Sequence, residues 1–168
     1  QERIELARRA EAARRARLEQ EQRRIEEEHR AREAERAADR AFMDSIEKGE
    51  AGIMKQLQAL RESCQSDPKA HSRAIDALHT IFSQISSKPE EIKFRKVRRD
   101  HPKFHEDIGR HSGGREFLVA AGFKLVTVDD VPCYFSKEPD IEHDMDGWSD
   151  WFNNIKRTLE LIEEDMMR

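Results

Sequence analysis

Hydrophobic and polar positions divide the chain into two unlike parts. The first forty residues contain four large apolar side chains, which are Ile4, Leu6, Leu18 and Ile25. Nearly all other positions there are Glu, Arg, Ala or Gln, which are strong helix formers, and Gly and Pro are absent. Acidic and basic residues recur at helical spacing, as in Glu5 and Arg9. This pattern predicts one long, highly charged helix.

The same segment lacks the regular apolar seam of a coiled coil, which needs apolar a and d positions over several heptads. Leu18 and Ile25 have the heptad spacing, but Ile4 has Glu11 at that spacing, which breaks the pattern. A lone charged helix is the favoured interpretation, and a coiled-coil arm with a helical partner or a disordered segment stay open. The mixed charges favour a solvated face over a nucleic-acid-binding arm.

From Phe42 onward, apolar residues recur at helical spacing and predict a folded domain. Gly49 and Gly52 interrupt the pattern and mark a break between the two parts. We therefore predict a charged arm at residues 1–48 and a domain at residues 49–168, including an extended C-terminal helix.

The middle of the domain has two proline-based helix starts. Asp67 is a helix cap and Pro68 fits a first turn, so a helix is predicted from there to about Ser86. Pro89 predicts the start of another helix, which should stop near His101 because a proline follows.

The last third of the domain predicts a short helix, a hairpin and a long helix. The short helix covers residues 115–121 and ends at Gly122. Strands are predicted at 124–128 and 133–135, joined by a turn at 129–132. The final helix should begin at Pro139 and carry the apolar stripe Met145, Trp148, Phe152, Ile155, Leu159 and Ile162. The expected fold class is therefore mainly α with a small β-sheet (α+β), preceded by an extended helix.

Composition limits the function only in part. The formal net charge is −4, so the overall charge says nothing about nucleic acid or membrane partners. No stretch approaches the roughly 20 apolar residues of a membrane-spanning helix. Cys64 and Cys133 are far apart in sequence and form no CxxC pattern. No disulfide framework is therefore expected, which suits a reducing compartment.

Catalytic and metal-binding patterns are also missing. His101, His105, His111 and Asp107 are close in sequence but lack the ligand set that zinc requires. No serine or cysteine lies in a nucleophile motif, and the glycines near Gly113 lack the lysine of a phosphate loop. We expect no catalytic residues, no metal and no cofactor, and hence no enzyme.

Two ordered motifs resemble a known family. Residues 88–98 read KPEEIKFRKVR and are followed by His101 and Phe104. This segment resembles the PUB-domain signature N-P-x-x-x-K-[YF]-R-x-[IV]-R-x-x-N-x-x-F. Residues 117–123, FLVAAGF, resemble the L-x-x-x-G-F step before the hairpin of that family. The resemblance covers about residues 53–135 together with the final helix, and it implies the PUB fold. Phe104, Phe117 and Phe123 are expected to be core residues.

The resemblance also implies a non-catalytic function, the binding of short extended peptides. The best known ligand of the family is the acidic C-terminal tail of the valosin-containing AAA ATPase, which ends in an Asp-rich run followed by Leu-Tyr. By family position, Lys93 and Arg98 bind tail carboxylates, Phe94 walls a pocket for a ligand aromatic, and Gln84 supplies a polar amide. Phe94 stands where the family usually has Tyr, and His101 stands where it usually has Asn. Two alternatives therefore stay open, a degenerate pocket and a pocket that binds a different tail.

The basic run at residues 93–99 is expected to lie within one helix and to attract an acidic ligand. A solvated helix face balanced by neighbouring acids is the plainer alternative. Nucleic-acid binding is a weaker one, because the sequence has no recognised nucleic-acid fold and is acidic as a whole. Trp151 is expected to be partly exposed and to mark a contact surface.

The function expected is that of an adaptor in ubiquitin and proteostasis pathways of a eukaryotic cell, in the cytoplasm, the nucleus or a cytoskeletal or ciliary compartment. The alternative is a structural scaffold subunit of a large cytoskeletal or ciliary assembly with a degenerate pocket.

Overall fold

A computed structural model describes residues 1–168. The chain divides into two compact units, Gln1–Phe42 and Met43–Arg168. None of the helices combines the length and apolar composition that spanning a bilayer requires.

The first unit consists of helix α1, which runs over Glu2–Asp44 and so extends into the start of the second. Its 43 residues rise by about 65 Å. No residue of α1 is buried. Exposed ion pairs one turn apart follow its length, including Glu5–Arg9 at 3.7 Å and Glu28–Arg32 at 3.9 Å. The prediction of a long charged helix is confirmed.

The second unit is built on four helices: α2 (Glu50–Ser63), α3 (Pro68–Ser87), α5 (Gly114–Ala120) and α6 (Met145–Met166). Local sequence signals place their ends. The Asp67 side chain accepts a hydrogen bond from the Ala70 amide at 3.2 Å, as expected of a cap. Gly122 follows α5 with φ at 99°, the left-handed conformation that glycine adopts without strain.

The segment between α3 and α5 differs from the prediction. In place of a helix from Pro89, it forms a 3₁₀ turn at Ile92–Phe94, strand β1 at Lys96–Arg98, and helix α4 at Pro102–Phe104. A π-helical turn at His105–Gly109 follows α4 directly. The predicted helix is wrong because apolar spacing over so short a segment fits a helix or a strand equally well. Pairing with a distant strand decides between them.

The sheet has three antiparallel strands in the order β1-β3-β2, with β2 at Lys124–Val128 and β3 at Val131–Phe135. Val97 faces Tyr134 across the β1–β3 pair. Asp129 and Asp130 form the two-residue turn of the β2–β3 hairpin, and both have positive φ angles, 50° and 62°. The predicted hairpin is present, but its turn is tighter than expected because positions 131 and 132 belong to β3.

Helix α6 begins later than predicted, at Met145 rather than at Pro139. The side chain of Asp144 accepts a hydrogen bond from the Gly147 amide at 2.9 Å and so starts the helix there. Met145 was assigned to the apolar stripe but is 67% exposed. The stripe is buried further along, at Ile155 and Ile162.

The core centres on Phe82 of α3. Its ring contacts Phe117 and Phe123 edge-to-face, with centroid distances of 5.7 and 5.6 Å. Phe104 and Tyr134 lie against each other with centroids 6.1 Å apart, and burial raises the pKa of the Tyr134 hydroxyl. The three phenylalanines expected in the core, Phe104, Phe117 and Phe123, are all buried.

Candidate functional site

An open groove of about 690 Å³ lies between α3 on one side and the 3₁₀ turn and β1 on the other, with α4 and the π-helical turn also contributing to its walls. The five residues assigned to peptide binding from the sequence all line it: Gln84, Lys93, Phe94, Arg98 and His101. Residues from three separate elements are thus brought to one concave surface. Their role in binding stays a prediction, but their assembly into one site is a property of the fold.

Arg95 lies in the middle of the basic run but does not face the groove. Its side chain is 5% exposed, with Nε donating to the carbonyl of Pro89 at 3.0 Å and Nη1 to the carbonyl of Ser136 at 2.9 Å. The expectation that the run forms one cationic helix face is therefore wrong. The run is divided between a 3₁₀ turn and a strand, and Arg95 serves to anchor the segment.

Phe94 follows Lys93 at the end of the 3₁₀ turn and is half-buried in the groove wall. The ammonium of Lys93 lies 5.2 Å from the centroid of the Phe94 ring. An apolar ring next to a cation can contact a hydrophobic ligand side chain and a carboxylate at neighbouring positions.

His101 caps α4, with its Nδ1 accepting a hydrogen bond from the Lys103 amide at 3.2 Å. The neutral ring in this tautomer carries its proton on Nε2. The exposed ring can therefore donate a hydrogen bond to a ligand, which retains part of what an asparagine side chain offers at this position.

The charge of the groove is strongly positive, although the chain as a whole is acidic. Five cationic side chains line it, which are Arg73, Lys93, Lys96, Arg98 and Lys103. Two anionic side chains, Asp76 and Asp107, also line it. Such an excess of cations favours acidic ligands and speeds their association.

Several groove residues on α3 were not assigned from the sequence, namely Arg73, Asp76 and Thr80. They precede the assigned Gln84 at helical spacing, and all four line the groove. Their common face was detectable from the period of the helix once Gln84 had been assigned. Nothing local in the sequence indicated that the π-helical turn would bring Asp107 to the same surface.

The other polar clusters do not form comparable sites. Asp140, Glu142 and His143 have ligand atoms close enough for a metal, but all three are exposed, and exposed acidic groups commonly cluster without one. His111 Nδ1 lies 3.5 Å from the buried sulfur of Cys64. Burial, followed by the charge of Arg110, lowers the pKa of His111. Neither residue lines the groove.

Comparison with known proteins agrees with this geometry. Residues 69–146 match the family model of the PUB domain, and this range contains every residue that lines the groove. The chain therefore carries a PUB domain, preceded by the long helix α1. The resemblance inferred from the two motifs is confirmed.

One curated relative is Plant UBX domain-containing protein 2 of Arabidopsis thaliana. The two proteins are 42% identical over 62 residues, which is 37% of this chain and 14% of the relative. The chain thus matches a small part of the relative's length. A PUB domain is a protein-interaction module, so the expected class, a non-catalytic binding protein, is consistent with both comparisons.

Proposed function

We propose that the groove of this PUB domain binds short acidic peptides with a hydrophobic C-terminal end, such as the tail of the valosin-containing AAA ATPase. The protein then acts as an adaptor in a ubiquitin or proteostasis pathway, in the cytoplasm or at a nuclear, cytoskeletal or ciliary site, and α1 serves as a spacer or as a docking arm. The observation that carries the proposal is that Lys93, Phe94 and Arg98 all line one open groove.

The chemistry of the groove matches such a tail in two respects. Ligand carboxylates can form charge-assisted hydrogen bonds with the cations, and these are about twice as strong as neutral ones. The half-buried ring of Phe94 offers an apolar contact for a leucine or tyrosine at the ligand's end. The UBX domain in the relative's name supports an adaptor role, which comes to this chain only as part of the proposal.

Isothermal titration calorimetry of the full chain with a synthetic peptide ending in an aspartate run and Leu-Tyr tests the proposal. We expect micromolar affinity that weakens as salt is added, because the contacts are largely electrostatic. The double variant Lys93→Glu/Arg98→Glu should abolish binding. The control Lys69→Glu/Lys124→Glu makes the same change in net charge at exposed residues outside the groove and should bind normally.

The absence of heat, together with unchanged NMR chemical shifts at Lys93 and Arg98, would contradict the proposal. It would favour the second candidate, a scaffold subunit that uses its long helix and has no groove ligand. The feature in favour of that candidate is α1, in which no residue is buried. A pull-down with the same double variant separates the two, because partners that depend on α1 are retained while groove ligands are lost.

A further inference from the structure

Strand β1 is an edge strand, because the sheet order β1-β3-β2 leaves it paired on one side only. On that side, the Arg99 amide donates to the Pro132 carbonyl at 3.0 Å and the Ser136 amide donates to the Arg95 carbonyl at 2.9 Å. In an antiparallel ladder, these two bonds flank the residue that pairs through its own main chain, which is Val97. The amides of its two neighbours must then point away from β3.

The groove follows this open edge of β1. Lys96, Val97 and Arg98 are consecutive, and all three line the groove. Side chains alternate between the two faces of a strand, so a groove over one face would contact only every second residue. Contact with all three residues places the groove along the edge of the strand.

Three main-chain groups at this edge make no hydrogen bond to another main-chain group of the chain. They are the N–H and the C=O of Lys96 and the N–H of Arg98. The fourth group, the C=O of Arg98, accepts from the His101 amide at 3.3 Å. Unpaired groups on an edge strand are a template for another extended chain.

The side chains at this edge indicate which chain would fit. Lys96 and Arg98 are two apart and therefore project from the same face of β1. A charged edge strand often serves only to prevent aggregation. Here the two cations also line a groove in which cations outnumber anions. The positive charge of the groove is complementary to an acidic partner.

We propose that an acidic peptide binds as an added strand on the open edge of β1. Its main chain pairs with Lys96 and Arg98, and acidic side chains at alternating positions face these two residues. The inference rests on the proposed function and specifies how the same groove recognises its ligand. It also assigns to Lys96 a binding role that its place in the family motif does not indicate.

Amide hydrogen exchange of the ¹⁵N-labelled full chain, measured by NMR with and without the aspartate and Leu-Tyr peptide at saturation, tests this directly. We expect exchange at the Lys96 and Arg98 amides to slow by at least about tenfold on binding, because these N–H groups gain partners. The Val97 amide is the internal control, since it is already bonded across to β3 and should change much less.

The outcomes separate the two proposals. Saturable binding with unchanged exchange at Lys96 and Arg98 overturns the added-strand arrangement and leaves the proposed function intact. Absence of any binding overturns both. Slowed exchange at the two alternating amides supports both.

N-methylation of successive ligand amides gives an independent measurement. If the ligand pairs as a strand, methylation at every second residue lowers affinity by roughly three- to tenfold, and methylation of the residues between has little effect. A uniform response along the ligand contradicts strand pairing. Lys96→Gln should lower the affinity several-fold, whereas Lys88→Gln, an exposed residue outside the groove, should not.

Discussion

The Nη1 atom of Arg95 donates a hydrogen bond to the carbonyl oxygen of Ser136 at 2.9 Å, and the Ser136 amide donates to the carbonyl of Arg95 at the same distance. The guanidinium also lies over the Phe135 ring, 5.5 Å from its centroid. One buried cation thus joins the segment that carries Phe94 to the end of β3. The groove wall therefore depends on a buried residue that does not itself line the groove.

We expect Arg95→Met to destabilise the domain by about 2–4 kcal/mol, because the carbonyls of Pro89 and Ser136 lose their donor. Urea unfolding measures the loss. Lys93→Met removes an exposed cation from the same segment and should change the free energy of unfolding by no more than about 0.5 kcal/mol. Equal effects of the two substitutions would contradict the anchoring role.

Phe94→Ala should weaken binding of the acidic peptide by about tenfold, since it removes a half-buried aromatic ring from the groove wall. Ile92 lies in the same 3₁₀ turn but is 57% exposed and outside the groove, so Ile92→Ala is the matched control. Calorimetry with both variants distinguishes a groove contact from a general disturbance of the turn. Similar losses for the two variants would argue against the groove contact.

Gly113 lies where helix α5 packs against α2. Its φ is 92°, and a Cβ atom there would lie 2.6 Å from both the Gln56 oxygen and the Leu60 nitrogen. Gly113→Ala should therefore destabilise the domain by about 3 kcal/mol or more. Gly122 has a φ of 99°, and no atom lies near the position of an added Cβ. Gly122→Ala should therefore cost only the backbone strain of a positive φ, about 1–2 kcal/mol. Thermal unfolding compares the stability of the two variants. The difference between them measures the cost of the steric clash with α2 at Gly113.

His71 makes stability depend on pH. Burial is the main cause that lowers the pKa of His71, with the charge of Arg61 adding to it and Asp165 opposing it. Its Nε2 is buried without a hydrogen-bond partner. Below about pH 6.5 the unfolded chain binds a proton that the folded state resists, so stability falls as the pH drops through that value toward the lowered pKa.

His71→Gln should therefore reduce the loss of stability between about pH 6.5 and 5, measured by urea unfolding at several pH values. His29→Gln is the control, because His29 lies exposed on α1. An identical pH dependence in the wild type and in His71→Gln would show that this imidazole does not contribute.

The arm should be helical without a partner. Its ion pairs, such as Glu11–Arg15 and Glu26–Arg30, are exposed and contribute a few tenths of a kcal/mol each. Circular dichroism of residues 1–42 should show a helix whose content falls in high salt, because these pairs are screened. Sedimentation should give a monomer at all concentrations. Helicity that rises with concentration would instead indicate a coiled coil.

Local signals made much of the fold predictable. Asp67 and Pro68 placed the start of α3, and Gly122 placed the end of α5, because caps act within one helical turn. The hairpin followed from two short apolar runs around a turn predicted at residues 129–132, of which Asp129 and Asp130 form the turn in the structure. The family motifs went further and named five residues that the fold brings to one groove.

By itself, then, the sequence determined the charged arm, the start of α3, the end of α5, the hairpin and the resemblance to the PUB domain. Tertiary structure decided that the segment after Pro89 becomes a 3₁₀ turn and a strand, that Arg95 is buried while Lys96 and Arg98 line the groove, and that α3 supplies the opposite wall. The physical reason is the range of the interactions. Capping and helical periodicity act between near neighbours, whereas the pairing of β1 with β3 and the burial of Arg95 against Ser136 depend on residues far away in the chain.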